Sequence, residues 1–349
     1  MNHQWKNRSK EFHYLCVDEF IENTFYARAL TTAFEIGLID FFLKQKEVIP
    51  GSLSKQLGTD SRGMLLLLDL LLANRVVENC RDKLKLTDDF AHALNFRDLL
   101  ELRLTIANFA AHDFLDTFTD LVCRPTQFFE KVRFCRLFAY DRCFHYSEEN
   151  YKITRRWMQI TTTLTKYESQ VCMKYHDFSP YRHLLDLGGN SGEFVRQICQ
   201  RYPEIQATVF DLPLVCDIGR DHLSGTPEAK RITFLKGNAL TDEIPGDFDI
   251  ITFKSMLHDW PEKEAKLFIA KASQSLTPGG TLLIFERGPL EPEGKRWPYS
   301  ILPMLLFYHS FRSPGFYEEV LKDLRFREIA VKKITLDTPF YLVTARKKG

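Results

Sequence analysis

The stretch His183-Leu184-Leu185-Asp186-Leu187-Gly188-Gly189-Asn190-Ser191-Gly192-Glu193-Phe194 decides the fold. It reads as an apolar strand, a glycine-rich turn and the start of a helix. The helix reading rests on Phe194, Val195, Ile198, Cys199 and Tyr202, which recur at helical spacing. Glycines at such a turn let another group lie against the backbone, because no Cβ stands in the way. A second strand, Ala207-Thr208-Val209-Phe210, follows and ends in Asp211. An acidic side chain there can accept hydrogen bonds from both ribose hydroxyls of a nucleoside cofactor.

A dinucleotide fingerprint would read G-x-G-x-x-G and seat a pyrophosphate at the helix N-terminus. Asn190 and Glu193 fall where its second and third glycines belong, and Glu193 sets a carboxylate where phosphate would sit. The turn therefore suits a ligand without phosphates better than a nicotinamide or flavin dinucleotide. The plain alternative, a glycine turn with no ligand, leaves Asp211 and the motifs downstream unexplained. The pattern D-L-G-G-x-x-G resembles motif I of the class I S-adenosylmethionine-dependent methyltransferases, which implies S-adenosylmethionine as cofactor.

From residue 182 onward strands and helices alternate, which implies a mostly parallel sheet covered on both faces. The expected strands are His183–Leu187, Ala207–Phe210, Ile232–Leu235, Phe248–Phe253 and Thr281–Phe285, then Phe326–Thr335 and Phe340–Ala345 as an antiparallel hairpin. The expected class is α/β: a doubly wound, seven-stranded Rossmann-like domain with that terminal hairpin, preceded by a helical domain.

The first half reads as helical. Phe20 to Phe42 is a long apolar-periodic run, and Ser52–Gly58 is a short helix with a serine cap and a glycine stop. The helix Gly63–Asn74 follows, then two short alternating strands, Arg75–Glu78 and Lys83–Thr87. Helix, turn, helix and hairpin make a winged-helix arrangement. Met64 to Ala73 is apolar nearly all round, so it reads as a buried packing or dimerisation helix and not as a DNA reader, which needs polar and basic faces. Residues 95–150 are helical and rich in aromatics, which serve core, subunit contact or a pocket for a flat acceptor. Tyr151 to Tyr175 reads as one long helix, and Phe178-Ser179-Pro180-Tyr181 as a hinge. The expected division is 1–178 for a winged-helix-like dimerisation and substrate-pocket domain and 179–349 for the cofactor domain.

A chain of 349 residues with 44% hydrophobic content can bury more than one core. Its 47 basic and 46 acidic residues give a net charge of +1, which offers no electrostatic case for nucleic acid or an anionic membrane. The longest apolar stretch is too short to span a bilayer. Met1 to Lys6 leads into no apolar signal region, and the 8 cysteines form no C-x-x-C pair, so a reduced, cytoplasmic setting is expected.

The catalytic candidates stand at neighbouring strand ends. Phe248–Phe253 leads into Lys254-Ser255-Met256-Leu257-His258-Asp259-Trp260-Pro261, and Thr281–Phe285 ends at Glu286. Ligands of open α/β sheets bind beyond the carboxyl ends of strands, and adjacent strands lie about 4.8 Å apart. An imidazole and a carboxylate can therefore meet there, the carboxylate fixing one ring nitrogen as N–H and freeing the other to take a proton. Asp259 reads as a cap for the following helix, ahead of any chemical role, and Trp260 as packing.

The segment K-x-x-x-H-D-W-P, the helix running into Ser275-Leu276-Thr277-Pro278-Gly279-Gly280, and the strand ending in Glu286 resemble the small-molecule O-methyltransferases, among them caffeate, hydroxyindole and bacterial polyketide-tailoring enzymes. The resemblance implies a homodimer that methylates a hydroxyl of a small secondary metabolite. It implies His258 as base, Glu286 as its orienting partner and Asp259 beside them. It also implies cofactor contacts from Asp186, Gly188, Gly189, Asp211, Leu212, Asn238, Ala239 and Lys254, with Met158 either a contact or ordinary core. Two departures stand out. Asn238 replaces the family's aspartate, and Phe311 falls where plant members carry a second glutamate. His309 nearby opens an alternative: bacterial relatives of this fold methylate 2-oxo acids at carbon through a metal held by two histidines, here His258 and His309. A cofactor-binding regulator without catalysis is the weaker third reading.

Overall fold

The structure is a computed structural model describing residues 22–291, 297–336 and 338–349. The start of the expected Phe20–Phe42 run and the segment Met1 to Lys6 lie outside the described residues. The chain divides into two compact units. One is formed by the chain up to Thr119 with the segment ending at Pro303; the other begins at Asp120 and includes Met304–Gly349.

In the first unit, α1 (Glu22–Glu35) and α2 (Leu38–Gln45) occupy the apolar-periodic run. Gly37, at φ 75°, breaks it, because a left-handed residue cannot continue a right-handed helix. Next comes α3 (Pro50–Leu57). The expected serine cap is not there. Pro50 opens the helix, where its missing N–H costs nothing, and the Ser52 hydroxyl donates to the Ile49 carbonyl instead. Asp60 caps α4 (Ser61–Ala73), accepting the Gly63 N–H at 2.8 Å. Met64, Leu67, Leu68 and Leu71 of α4 are buried, but Leu65 and Leu66 are 59% and 56% exposed, so this helix is not buried all round as expected. The hairpin β1 (Val77–Cys80) and β2 (Lys83–Leu86) follows, then α5 (Asp88–Ala93) and the long α6 (Arg97–Cys123).

The second unit opens with α7 (Pro125–Lys131) and α8 (Glu148–Tyr175), the latter capped by Ser147. Its sheet is built from β3 (His183–Leu187), β4 (Gln206–Asp211), β5 (Ile232–Lys236), β6 (Phe248–Lys254), β7 (Leu276–Arg287), β8 (Arg327–Thr335) and β9 (Pro339–Arg346). The strand order is β5-β4-β3-β6-β7-β9-β8. The first five strands pair in parallel, and β9 pairs antiparallel with both β7 and β8. The helices are α9 (Glu193–Arg201), α10 (Pro213–Leu223), α11 (Glu262–Ser275), α12 (Leu302–Leu305) and α13 (Pro314–Asp323).

Alternation along β3 explains the two covered faces. Leu184 packs with Phe194, Val195 and Ile198 of α9, while Leu185 and Leu187 pack with Phe268 and Ile269 of α11. Each such fully buried side chain stabilises by roughly 1.5–3 kcal/mol. The order reverses at β3, whose neighbours β4 and β6 follow it in turn, so a crevice opens at its carboxyl end. One boundary differs from the sequence reading. The Leu276–Gly280 segment is the start of β7 and no part of a helix, with Leu276 paired to Phe248 across a register shift. Among the described residues no helix is long and apolar enough to cross a membrane, and the described cysteines are free thiols.

Candidate active site

Glu286, on β7 and 0% exposed, organises the corner at the end of β6. Its Oε1 accepts the backbone N–H groups of Met256 and Leu257 at 2.6 and 2.7 Å, and its Oε2 lies 2.7 Å from His258 Nδ1. One carboxylate therefore holds both the turn after β6 and the ring that the turn carries. Ser255, at φ 50°, starts this sharp turn. Arg312 closes its far side, donating to the carbonyls of Leu257 (2.8 Å) and Trp260.

His258 Nε2, the other ring nitrogen, faces Asp259 Oδ1 at 3.4 Å. Burial pulls the His258 pKa down, but the charges of Asp259 and Glu286 outweigh it and hold it above the usual histidine range. Asp259 does not cap α11, as expected from its position. That helix starts at Glu262 behind Pro261 with no side-chain cap, because Asp259 turns inward and accepts the Tyr140 hydroxyl at 2.7 Å. Burial raises the Asp259 pKa, with His258 and Tyr140 pulling it back. Trp260 packs, stacked on Tyr140 and edge-on to Phe268.

A cavity of about 650 Å³ opens over His258 and Asp259, walled by aromatic rings including Phe129, Phe138, Phe307 and Phe311. The Phe307 and Phe311 rings lie 5.6 and 5.3 Å from the imidazole. Phe311, in the place of a second glutamate, thus supplies a flat apolar wall. His309 also borders this cavity, but its Nε2 lies 3.4 Å from the Leu121 carbonyl. Among the described residues no group of three or more His, Cys, Asp or Glu side chains is arranged to hold a metal ion.

The second corner lies at the carboxyl ends of β3 and β4. Asp211 accepts one backbone N–H on each oxygen, from Asn190 at 2.8 Å and Leu212 at 2.7 Å. Each oxygen keeps a lone pair, so the carboxylate fits a vicinal diol such as a ribose. Its surroundings push its pKa up to about 6, chiefly by desolvation, against the two N–H groups. Gly188 stands at φ 68°, and a Cβ there would come within 2.6 Å of Met256 Cγ. The glycine is thus required both by its backbone and by the turn after β6 that packs on it. Asp186 lies beneath, buried, bonded by the Thr252 hydroxyl at 2.6 Å and pushed up to about 7 by burial; it crowds Gly189, whose Cβ would meet its Oδ2 at 2.7 Å.

Asn238 folds back on itself, its Oδ1 accepting the Leu240 N–H at 3.0 Å, and the Ala239 carbonyl accepts Lys271 Nζ at 2.7 Å. Leu212 flanks the start of α10 and packs near Met158, which is 2% exposed among Leu214, Val215 and Ile218. Lys254 points its ammonium at Glu168 and at the Thr165 hydroxyl (2.8 Å) of α8, and Arg287 binds the same Glu168. Burial would raise the Glu168 pKa, but Arg287 and Lys254 hold it at about 2. Glu193, singled out as hostile to phosphate, is tied to Arg196, Gln197 and His222.

Several residues here had no specific site role in the sequence reading. Tyr140 and Glu168 carry no motif, and each meets its partner across 119 positions of chain. Thr161 and Thr162 of α8, which bond Asn190 and Ser191 of the glycine turn at 3.1 and 2.7 Å, are equally silent in sequence.

Among curated proteins, the chain is 30% identical to acetylserotonin O-methyltransferase from Gallus gallus over 45% of its own length and 46% of that protein. It is 29% identical to 3-hydroxy-5-methyl-1-naphthoate 3-O-methyltransferase from Streptomyces sahachiroi over 40% of each. The chain spans about half the length of the curated relatives it matches. Among solved structures, human N-acetylserotonin methyltransferase with S-adenosylmethionine superimposes with a TM-score of 0.74, at 21% identity, over 98% of this chain and 99% of that one. Mitomycin 7-O-methyltransferase superimposes at 0.71, with 19% identity, over 95% and 97%. Residues 119–322, more than half of the chain, match the family described as the O-methyltransferase domain, and the protein belongs to that family.

Proposed function

We propose that the protein transfers a methyl group from S-adenosylmethionine to a hydroxyl of a small, flat, aromatic acceptor, with His258 as general base. The observation that carries this is the His258–Glu286 pair, which opens into an aromatic-walled cavity beside the Asp211 corner. Bound S-adenosylmethionine supplies an electrophilic methyl on a sulfonium, which leaves a neutral thioether when the methyl departs.

The chain's own residues do the rest. Asp211 takes the two ribose hydroxyls, and the turn at Gly188 and Gly189, with Asp186 beneath it, shapes the cleft. Leu212, Asn238, Ala239 and Lys254 are the further cofactor residues of this proposal. Phe307 and Phe311, tilted against each other, wall one side of the space for the acceptor ring. Glu286 holds the proton on Nδ1, so Nε2 presents its lone pair to the acceptor hydroxyl. Positioning the hydroxyl supplies most of the acceleration, and the base supplies roughly a further 10²–10⁴. Relatives that act on acetylserotonin and on a hydroxynaphthoate support the acceptor class.

The proposal extends to assembly. Residues 1–178 form the winged-helix-like dimerisation and pocket-shaping part, and 179–349 hold the cofactor. The exposed Leu65, Leu66, Leu115 and Phe118 support a homodimer. The test is His258→Ala, assayed with acetylserotonin and the hydroxynaphthoate. Turnover should fall about 10²-fold or more while calorimetric binding of S-adenosylmethionine stays as in the parent. Full turnover without the imidazole removes the base role.

A further inference from the structure

We propose that Tyr140 is a positioning residue for the transfer: its hydroxyl fixes the Asp259 carboxylate opposite His258 Nε2, so that this carboxylate stabilises the imidazolium formed when Nε2 takes the acceptor proton. The inference rests on the base role proposed for His258. No feature of the sequence around Tyr140 points to it; the geometry alone does.

Tyr140 Oη donates to Asp259 Oδ2 at 2.7 Å. The ring is held on two sides, stacked on Trp260 with centroids 5.7 Å apart and edge-on to Trp157 at 5.4 Å, so the hydroxyl has one direction to point. With Oδ2 occupied, Asp259 Oδ1 is directed at Nε2. That oxygen is buried and has no hydrogen-bond partner, and the side chain is 10% exposed. A buried carboxylate oxygen left without a donor is costly, and an imidazolium N–H at Nε2 is the donor it lacks.

The proton count is simple. The acceptor O–H bond breaks, an N–H bond forms at Nε2, and the proton leaves to water when the product departs. During that interval the imidazolium stands between two carboxylates, Glu286 at Nδ1 and Asp259 at Nε2. Other charged or titratable groups also face these residues. Arg287 on β7 disfavours the imidazolium but favours the Asp259 carboxylate, Arg312 is spent on the carbonyls of Leu257 and Trp260, Tyr317 of α13 faces Glu286, Asp211 of β4 and Cys143 act on Tyr140, and Glu262 and His309 border the cavity. Neither arginine replaces Tyr140 as a donor to Oδ2.

Three variants test this: Tyr140→Phe, Asp259→Asn and the double variant, each followed as kcat and kcat/KM against pH. Asp259→Asn removes one of the two charges that raise the His258 pKa, so the acid limb of kcat/KM moves to lower pH and kcat falls. Tyr140→Phe keeps both ring contacts and frees the carboxylate to turn away. It should lower kcat about tenfold with acceptor KM little changed, and move the acid limb in the same direction. In the Asp259→Asn background the tyrosine substitution should add nothing, because its effect passes through that carboxylate. Unchanged kcat and limb in Tyr140→Phe, a limb moved to higher pH, or an equal further loss in the double variant would each overturn the assignment. His258→Ala separates the two proposals: its full activity removes the base itself, whereas an inactive His258→Ala beside an unaffected Tyr140→Phe removes only the role of Tyr140.

Discussion

Exchanging Glu286 for glutamine changes one oxygen for an NH2 group and removes one charge. The backbone donors of Met256 and Leu257, at 2.6 and 2.7 Å, both require the oxygen on their side. The NH2 group must then face His258 Nδ1, where Oε2 stood at 2.7 Å. A donor at that place makes Nδ1 an acceptor and moves the ring proton to Nε2, so the base nitrogen is blocked. Turnover through the correct tautomer must break roughly two hydrogen bonds to charged or buried groups at about 1.5–3 kcal/mol each. That is roughly 3–6 kcal/mol, or about 10²–10⁴ in kcat at 1.36 kcal/mol per decade. The fold loses little, because both backbone donors stay satisfied. The assay is transfer of labelled methyl from S-adenosylmethionine to acetylserotonin or the hydroxynaphthoate, with nitrogen NMR of the imidazole reporting the tautomer. Near-parent turnover, or an Nδ1-protonated ring in the variant, would refute the reasoning.

Further outcomes at Asp211, Gly188 and Glu168 follow from the same geometry. Asp211→Asn should weaken cofactor binding by calorimetry about tenfold, the loss of one hydrogen bond to a charged group. The parent's affinity should fall as pH drops through about 6, where Asp211 takes up a proton and loses a lone pair for the ribose. Gly188→Ala should destabilise the second unit by about 1–3 kcal/mol, since φ 68° strains an alanine and its Cβ would lie 2.6 Å from Met256 Cγ; thermal unfolding reads the loss, and turnover falls because the catalytic turn moves. Glu168→Gln leaves Lys254 and Arg287 buried beside a neutral group and should cost about 3–5 kcal/mol. In the parent, Glu168 has a folded pKa of about 2, below its usual value of 4.5. Its contribution to stability is therefore complete above about pH 4.5 and lost as the pH falls toward 2; a variant that tracks the parent across this range contradicts the assignment.

The parts of this molecule that were legible in sequence are those encoded by short-range pattern. Leu184 and Leu185 face opposite cores because strands alternate, and His258 and Glu286 meet because His258 follows the end of β6 and Glu286 lies in the last residues of the adjacent β7. The parts that were not legible depend on distant chain. Asp259 looks like a helix cap beside Trp260-Pro261, and only Tyr140, 119 residues away, turns it inward. Lys254 stands in the sequence as an implied cofactor contact, and only Glu168 on α8 shows it to be part of a buried ionic cluster. Ser52 and Pro50 were both available to start α3, and the proline's fixed backbone prevailed. Leu65 and Leu66 read as core from composition, yet α4 has room for one buried face only.

The central claim is that His258 draws a proton from an acceptor oxygen so that this oxygen takes the methyl group. The most direct measurement is NMR of the product formed from carbon-13 methyl-labelled S-adenosylmethionine and a hydroxylated aromatic acceptor, with the parent protein and with His258→Ala. Label should appear on oxygen with the parent and almost none with the variant, whose cofactor binding is intact. Label on carbon, or equal labelling of oxygen by both proteins, would contradict it.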